Sequence, residues 1–117
     1  MNRYELLSDL IALRAPLAEL APAVSELEWD PDEDPLPEMK SKDAVHVIDL
    51  YLKGEISAHE FTEWANLLEG REDFSFEKSH EDILKDFIFS IANPDMNEPI
   101  TPATAKKWKR QLADAPR

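Results

Sequence analysis

DAVHVIDLYLKGEISAHEFTEWANLLEGRED, residues 43–73, is the stretch that decides the fold, and it contains both glycines of the chain, Gly54 and Gly70. Each glycine follows a run of apolar residues spaced three and four apart, which is the periodicity of a helix. Glycine takes a positive φ without steric cost, so a glycine at this place predicts a left-handed residue that ends the helix. The stretch therefore predicts two helices joined at residues 53–55.

The second of these helices has a complete set of start signals. Ser57 is placed to be its N-cap, and Glu60 follows three residues later, so that each side chain can accept the backbone N–H of the other residue. Ile56 before the cap and Phe61 at the fourth helical position form the apolar pair that fixes the direction in which the chain enters. These four residues predict a helix that begins directly after Ser57.

The run VHVIDLYL, residues 45–52, is rich enough in β-branched residues to suggest a strand. Its apolar residues nevertheless recur three and four apart and the run ends at Gly54, so a helix that begins near Asp43 is the stronger prediction. The residues predicted to face inward from the two central helices are Ala44, Val47, Ile48, Tyr51, Phe61, Trp64, Ala65 and Leu68.

The N-terminal part predicts two further helices. Residues 3–14 have an amphipathic pattern that should end or kink before Pro16, and Pro16 suits the first position of a short second helix. Pro22 is expected to disturb the continuity of that second helix. The predicted inward-facing residues are Leu6, Leu7, Leu10, Ile11 and Leu13 in the first helix, and Leu17, Leu20 and Val24 in the second.

The composition changes sharply in ELEWDPDEDPLPE, residues 26–38, which hold seven acidic residues, three prolines and no basic residue. Prolines remove backbone donors and like charges resist compaction, so residues 26–42 are predicted to be an acidic, proline-rich loop. Trp29 stands within this loop. Its indole either folds back over the bundle or is an aromatic anchor on a charged contact surface, and the first is favoured because an exposed indole is uncommon.

The C-terminal half predicts an extended connector and two more helices. Phe74 and Phe76 should point the same way from the connector. Ser79 is the predicted N-cap of the next helix, with Asp82 three residues later, and residues 93–95 end it. The inward faces of the two helices are Ile83, Leu84, Phe87, Ile88 and Ile91 in the first, and Ala105, Trp108 and Leu112 in the second.

The last helix is predicted to begin with Thr101 as its N-cap and Pro102 in its first turn, and residues 114–117 are expected to be a disordered tail. Together these patterns predict an all-α fold in which residues 1–117 form a single helical domain. We expect five or six short helices packed as one irregular bundle. A chain of this length can bury a core without a metal or a disulfide.

The formal net charge is −12 at pH 7, and it is unevenly distributed. Residues 1–100 carry 24 acidic and 8 basic residues, whereas residues 101–117 carry 1 acidic and 5 basic residues. A chain with this much negative charge repels nucleic acids and anionic membranes, and neither is expected as a partner. The charge instead favours binding to a basic protein. The basic residues Lys106, Lys107, Lys109 and Arg110 are predicted to complement the negative end of the last helix or to pair with acidic residues of the same chain.

The chain has no cysteine, which removes disulfides and thiolate metal sites and is compatible with a reducing compartment. No run approaches the roughly 18 apolar residues that span a bilayer. Charged residues interrupt the apolar run near the N-terminus, so a signal peptide is not expected. The sequence therefore predicts a cytoplasmic protein.

Metal and catalytic signatures are weak. Asp30, Asp32 and Asp34 match the first ligand positions of a calcium loop, but Pro35 stands where that loop needs glycine and Ser41 stands where it needs a bidentate Glu. The histidines are His46, His59 and His80, and HEFTE, residues 59–63, lacks the second His of a zincin helix. We therefore expect no cofactor, no metal site and no enzymatic activity.

The segment from Ile56 to Gln111 resembles the colicin-type nuclease immunity proteins. The similarity lies in the helix ISAHEFTEWANLLE, the acidic connector, the helix HEDILKDFIFSIANPD with its Pro-Asp turn, and the Lys-Trp helix AKKWKR. It implies a small acidic helical inhibitor that covers a basic nuclease toxin. The family's paired tyrosines before a proline have no counterpart in MNEPITP, residues 96–102, so no contact residue is carried over. The central segment is also similar to small bacterial proteins without an assigned activity.

The leading hypothesis is therefore a non-enzymatic protein-binding module of the immunity or antitoxin type, whose acidic surface occludes a basic partner such as a nuclease toxin. The predicted contact residues are Trp29, Asp30, Asp32, Glu33 and Asp34. One alternative is a structural or accessory domain whose acidity serves only solubility. The other is a metal-dependent hydrolytic domain that uses the histidines.

Overall fold

Helices make up most of the residues that the computed structural model describes, which are 3–27, 36–71 and 74–114. The predicted all-α class is confirmed. The α-helices of the described residues are α1 Arg3–Ala12, α2 Leu17–Ser25, α3 Ser41–Leu52, α4 Ala58–Leu68, α5 Glu81–Ala92 and α6 Pro102–Asp114. Two 3₁₀ helices, Lys78–His80 and Pro94–Met96, flank α5, and two short strands, β1 Glu38–Met39 and β2 Ser75–Phe76, form a parallel pair.

The turn between α3 and α4 follows the prediction from the glycine. Gly54 has a φ of +79°, its N–H donates to the Tyr51 carbonyl at 3.0 Å, and the Glu55 N–H donates to the Leu50 carbonyl at 2.9 Å. These two bonds cap the last carbonyls of α3 around a left-handed residue. The run VHVIDLYL is therefore helical, as its spacing indicates.

Gly70 also has a positive φ, but it lies in a turn of a different type. Glu69 has φ −61° and ψ 127°, Gly70 has φ +80°, and the Arg71 N–H donates to the Leu68 carbonyl at 3.2 Å. This is the geometry of a type II turn, which needs a residue with positive φ at its third position. Gly70 is thus required by the turn that follows α4.

The start of α4 is as predicted. The Ser57 hydroxyl accepts the Glu60 N–H at 3.1 Å, and the Glu60 carboxylate accepts the Ser57 N–H at 3.0 Å. Ile56 is partly buried against the core and Phe61 is fully buried in it. Such a cap contributes about 1 kcal/mol to helix stability.

The boundaries predicted for the acidic loop and for α3 are wrong. The Asp43 carboxylate accepts the Lys40 backbone N–H at 2.9 Å, so Asp43 occupies the third position of α3, which begins at Ser41. Within the range predicted as loop, Glu38 and Met39 pair with Ser75 and Phe76 in the β1–β2 ladder. The two-residue strands carry too little periodicity to be detected in the sequence.

The end of α1 also differs from the prediction. The helix ends at Ala12, and Leu13 has a φ of +49°. The Leu13 N–H donates to the Leu10 carbonyl at 3.1 Å and the Arg14 N–H to the Asp9 carbonyl at 2.9 Å, which is the capping pattern found around Gly54. A left-handed Leu costs about 1–2 kcal/mol in backbone strain. The Leu13 side chain is only 6% exposed, so its burial offsets that cost.

Two other predicted helix starts need correction. Pro16 directly precedes α2 and is not its first residue. The helix continues through Pro22, which has no N–H to donate to the Ala18 carbonyl. Ala18 and Pro22 are both exposed, so water can solvate that carbonyl. Ser79 is not the cap of α5, because it lies within the 3₁₀ helix Lys78–His80, and His80 occupies the N-cap position. The Ser79 hydroxyl instead lies 2.9 Å from His80 Nδ1.

The last helix begins as predicted and ends later. The Thr101 hydroxyl accepts the Thr104 N–H at 3.2 Å, and Pro102 is the first helical residue. Helix α6 includes Asp114, so the predicted disordered tail is wrong at that residue. Residues 115–117 lie outside the described residues.

The core is organised around Trp64 of α4. Its indole is fully buried and donates a hydrogen bond of 2.7 Å to the Leu10 carbonyl, which joins α4 to the end of α1. Its ring centroid lies 6.0 Å from that of Phe61 and 6.1 Å from that of Phe87 in α5. Trp108 of α6 is half-buried and meets Phe87 edge-on at 5.6 Å. The aromatic cluster therefore connects α1, α4, α5 and α6.

The inward faces predicted from the sequence largely coincide with this core. All five apolar residues predicted for α1, and all three predicted for α2, are buried. In α5 the exception is Ile83, which is partly buried. Helix α3 packs most extensively against α6, and α4 against α5. In the described part of the chain, every helix is too short or too polar to cross a membrane.

Candidate protein-binding surface

The contact residues predicted from the sequence are Trp29, Asp30, Asp32, Glu33 and Asp34, and all five lie outside the described residues. The two alternatives for the Trp29 indole lie outside them as well. The described part of the chain nevertheless presents an acidic surface elsewhere, where α4 meets the end of α5.

Two open clefts border this surface, each with a volume of about 330 Å³. The first lies beside the end of α4 and has Leu68, Ile88 and Phe89 among its apolar lining residues. The second lies between the start of α4 and the segment after α5, and His59 and Asp95 are among its lining residues. The surface between the clefts is formed by the outer sides of α4 and α5.

Asn93 ties the two helices together between the clefts. Its side-chain amide donates to Glu69 at 2.8 Å and to the Phe89 carbonyl at 2.9 Å, and its own carbonyl accepts the Asn97 amide at 2.9 Å. Asp86 lies one turn before Phe89 on α5. We name this region the α4–α5 surface and define it by Glu63, Glu69, Asp86, Phe89, Asp95 and Met96, all of which are exposed.

The α4–α5 surface carries exposed apolar side chains. Among the described residues, the exposed large apolar side chains are Tyr4, Phe89 and Met96, with 43%, 45% and 73% of their surface exposed. Two of these three lie on the α4–α5 surface. Exposed aromatic and methionine side chains within a polar rim are typical of protein-binding surfaces, where they supply the central apolar contact.

The electrostatics of the surface are set by carboxylates. Glu63 lies 2.6 Å from His59 Nε2, and both side chains are largely exposed, at 49% and 79%. Glu69 accepts a hydrogen bond from the neutral Asn93 amide at 2.8 Å. An exposed pair in high dielectric contributes about 0–1 kcal/mol, so Glu63 stays available to a competing cation. The surface thus presents negative charge around Phe89 and Met96.

Cations border the α4–α5 surface on one side. Lys85 pairs with Glu81 at 3.0 Å, and its ammonium lies 6.0 Å from the centroid of the Phe76 ring. Arg71 lines the same cleft as Phe89. These cations mark one end of the acidic region, beside the cleft that Phe89 lines.

Two of the four basic residues in the last helix form ion pairs within the molecule. Lys109 pairs with Asp49 of α3 at 2.7 Å, and Lys107 pairs with Glu98. The predicted pairing with acidic residues is confirmed for these two lysines. The predicted role at the helix terminus is wrong, because α6 continues to Asp114 and its last turn holds no basic residue.

The three histidines lie on different elements. His46 is exposed on α3, His59 is exposed in the first turn of α4, and His80 is buried before α5. In residues 3–27, 36–71 and 74–114, no group of three His, Asp or Glu side chains is arranged to hold a metal ion.

The α4–α5 surface is not evident from the amino-acid sequence. Phe89 belongs to an apolar helix, and only its position off the stripe of Leu84, Phe87 and Ile91 distinguishes it. Met96 lies in a Pro-Asp turn, where an apolar residue has no helical face to join. The signal available in the sequence is an apolar residue at a position that the helical periodicity assigns to solvent.

No protein-family model, curated protein or solved structure matches this chain.

Proposed function

We propose that this protein is a non-enzymatic binding module that uses the α4–α5 surface to bind a basic protein. The observation that carries the proposal is the exposure of Phe89 and Met96 among exposed carboxylates. A basic partner would contribute cations to Glu63 and Asp95 while an apolar side chain packs on Phe89. The immunity-type action expected from the resemblance fits this arrangement, since such an inhibitor acts by covering a site.

The charge of the whole chain supports a basic partner. A formal net charge of −12 produces a long-range field that accelerates encounter with a positively charged protein and disfavours acidic ones. The field is screened over about 10 Å at 0.1 M salt, so association should slow steeply as salt rises. The negative charge therefore increases the association rate and favours basic partners, while the exposed apolar residues provide the contact area.

The surface is held in place before any partner binds. The Ser57–Glu60 cap fixes the start of α4, Asn93 joins the ends of α4 and α5, and the core aromatic cluster joins both helices underneath. A preorganised surface loses little conformational entropy on binding. That property suits an inhibitor, whose action depends on remaining bound.

The acidic loop with Trp29, Asp30, Asp32, Glu33 and Asp34 remains a second proposed contact region. It would extend the acidic surface that a basic partner meets. The cytoplasmic location expected from the sequence is also part of the proposal, since a chain without cysteine needs no oxidising compartment.

The test compares two variants with the same charge. Glu63→Lys/Asp95→Lys reverses two carboxylates of the α4–α5 surface, and Glu19→Lys/Glu38→Lys reverses two exposed carboxylates on α2 and β1. Each pair raises the formal net charge by four, from −12 to −8. The wild type and both variants are immobilised and exposed to the lysate of the source cell at low and at high salt.

A basic polypeptide retained by the wild type and by the α2–β1 variant, but lost from the α4–α5 variant, supports the proposal. Equal retention by both variants would place binding elsewhere and overturn it. The inhibitory role is then tested by expressing the captured polypeptide in a host cell with and without this protein. Growth that is restored by the wild type and not by Glu63→Lys/Asp95→Lys is the expected result.

A further inference from the structure

Met96 is the most exposed large apolar side chain in the described part of the chain, with 73% of its surface open to solvent. It is the last residue of the 3₁₀ helix Pro94–Met96, where its N–H donates to the Asn93 carbonyl at 3.1 Å. Met39 of β1, in contrast, is fully buried and belongs to the apolar core. The two methionines therefore differ as much in exposure as two side chains of one fold can.

This difference in exposure decides which methionine meets an oxidant. The chain has three methionines and no cysteine, so no thiolate competes with the thioethers for a peroxide. Hydrogen peroxide oxidises a thioether by two electrons: an S–O bond forms, the O–O bond breaks and water leaves, which produces methionine sulfoxide. The peroxide must reach the sulfur, so the folded chain offers Met96 for this reaction and shields Met39.

The product changes the character of the surface on which Met96 lies. Oxidation converts a flexible apolar side chain into a polar one. On the α4–α5 surface, Met96 and Phe89 are the exposed large apolar side chains, and Glu63, Glu69 and Asp95 are exposed beside them. A polar sulfoxide has to be desolvated when a partner covers it, which opposes binding. Met96 lies outside the apolar core, so the same change leaves the fold intact.

We propose that Met96 is a reversible oxidation site, and that its conversion to the sulfoxide by a peroxide weakens binding at the α4–α5 surface. The reaction is reversed when two thiols reduce the sulfoxide to the thioether and leave as a disulfide and water. The effect on binding rests on the proposed function of the surface. The site of oxidation does not, because it follows from the exposure of Met96 alone.

The first measurement locates the site and needs no partner. The full-length protein is treated with hydrogen peroxide in buffer and in denaturant, and is then digested with trypsin. Cleavage after Lys and Arg places the three methionines in separate peptides, residues 1–3, 15–40 and 86–106, and mass spectrometry follows the oxidation of each. We expect Met96 to be oxidised at least about tenfold faster than Met39 in buffer and equally fast in denaturant, because only the folded chain shields Met39. Equal rates in buffer would overturn the proposal.

The second measurement tests the effect on binding. Met96→Leu keeps an apolar side chain of similar volume that a peroxide does not oxidise. The wild type and this variant are each treated with peroxide, freed of it and titrated with the captured basic polypeptide, beside untreated samples. We expect about fivefold weaker binding for the treated wild type and no change for treated Met96→Leu. Treatment with sulfoxide reductases for both epimers and a dithiol should restore the wild type.

Circular dichroism of the treated wild type should be unchanged, which separates a change of the surface from a loss of fold. Unaltered affinity of the oxidised wild type, or an equal loss of affinity in treated Met96→Leu, would overturn the regulatory effect. If the untreated wild type retains no basic polypeptide, the proposed function fails and the regulation fails with it. The oxidation rates of Met96 and Met39 still decide whether Met96 is the oxidation site.

Discussion

The α4–α5 surface and the α3–α6 face use charge in opposite ways. On the α3–α6 face, Lys109 is paired with Asp49 at 2.7 Å, and the Tyr51 hydroxyl donates to the Ile100 carbonyl at 3.3 Å, so polar groups bind one another across the helices. On the α4–α5 surface, carboxylates stand beside exposed Phe89 and Met96. A charge is most available to a partner where the fold has not paired it, or where its pair is largely exposed, as Glu63 with His59 is.

The two regions do not differ in how well their helices pack. The α3–α6 and α4–α5 pairs are the two most extensive helix contacts of the described residues, and both rest on the aromatic cluster. The difference lies outside the core, in which side chains the exposed positions carry.

The largest effect is expected from Trp64→Ala, which removes the support common to both regions. The variant leaves a cavity beside Phe61 and Phe87 and removes the hydrogen bond that joins α4 to the Leu10 carbonyl, so the free energy of unfolding should fall by about 3–5 kcal/mol. Trp64→Phe keeps an aromatic ring, so its free energy of unfolding should fall by less. Chemical denaturation followed by circular dichroism measures both, and a loss under about 1 kcal/mol for Trp64→Ala would contradict a core centred on this residue.

The next effect concerns binding alone. Phe89→Ser removes an exposed apolar contact from the α4–α5 surface, and affinity for the captured basic partner should fall about tenfold, or about 1.4 kcal/mol. Tyr4→Ser is the matched control, since Tyr4 is exposed to nearly the same extent on α1. Isothermal titration calorimetry gives both affinities. If both variants lost the same affinity for the partner, the loss would reflect the removal of any exposed aromatic side chain and not a contact on the α4–α5 surface.

The glycines at the ends of α3 and α4 should respond alike. Gly54→Ala and Gly70→Ala each place a Cβ on a residue with φ near +80°, although nothing lies within 4 Å of either added atom. The cost is then backbone strain alone, about 1 kcal/mol each. Thermal unfolding of both variants checks this, and a much larger cost at Gly70 would show that the turn after α4 is coupled to the surface beside it.

The smallest effect is expected on the α3–α6 face. A double-mutant cycle with Asp49→Ala and Lys109→Ala should give a coupling energy of about 0.5 kcal/mol, because both side chains are partly exposed. The coupling should decrease as salt rises. A coupling above about 2 kcal/mol, insensitive to salt, would show that this pair is a structural element rather than a neutralised charge.

The sequence predicted those parts of the fold whose signals are local. The Ser57–Glu60 cap, the positive φ of Gly54 and Gly70 and the apolar stripes act through neighbours within one helical turn, so spacing alone identifies them. The start of α5 could not be predicted this way. Ser79 has the right spacing for a cap, but the buried contact between His80 and Glu77 keeps a 3₁₀ turn there instead.

The candidate surface was less predictable than the fold. Whether Glu63 is available and Lys109 is not depends on which residues of other helices lie opposite, and Asp49 is 60 residues away from Lys109. No periodicity encodes such a pairing. The composition predicts an acidic exterior, but the three-dimensional structure is needed to show which carboxylates lie on the same surface as exposed apolar side chains.

The β1–β2 pair has a consequence for the order in which the chain folds. Its register joins Glu38 to Ser75 and Met39 to Phe76, so both partners must meet across a loop that includes all of α3 and α4. Two-residue strands cannot hold such a loop closed by themselves, because closure costs more chain entropy than the ladder returns. The ladder should therefore form late, after α3 and α4 have docked, and amide exchange at Ser75 and Glu77 should report when the two halves of the chain come together.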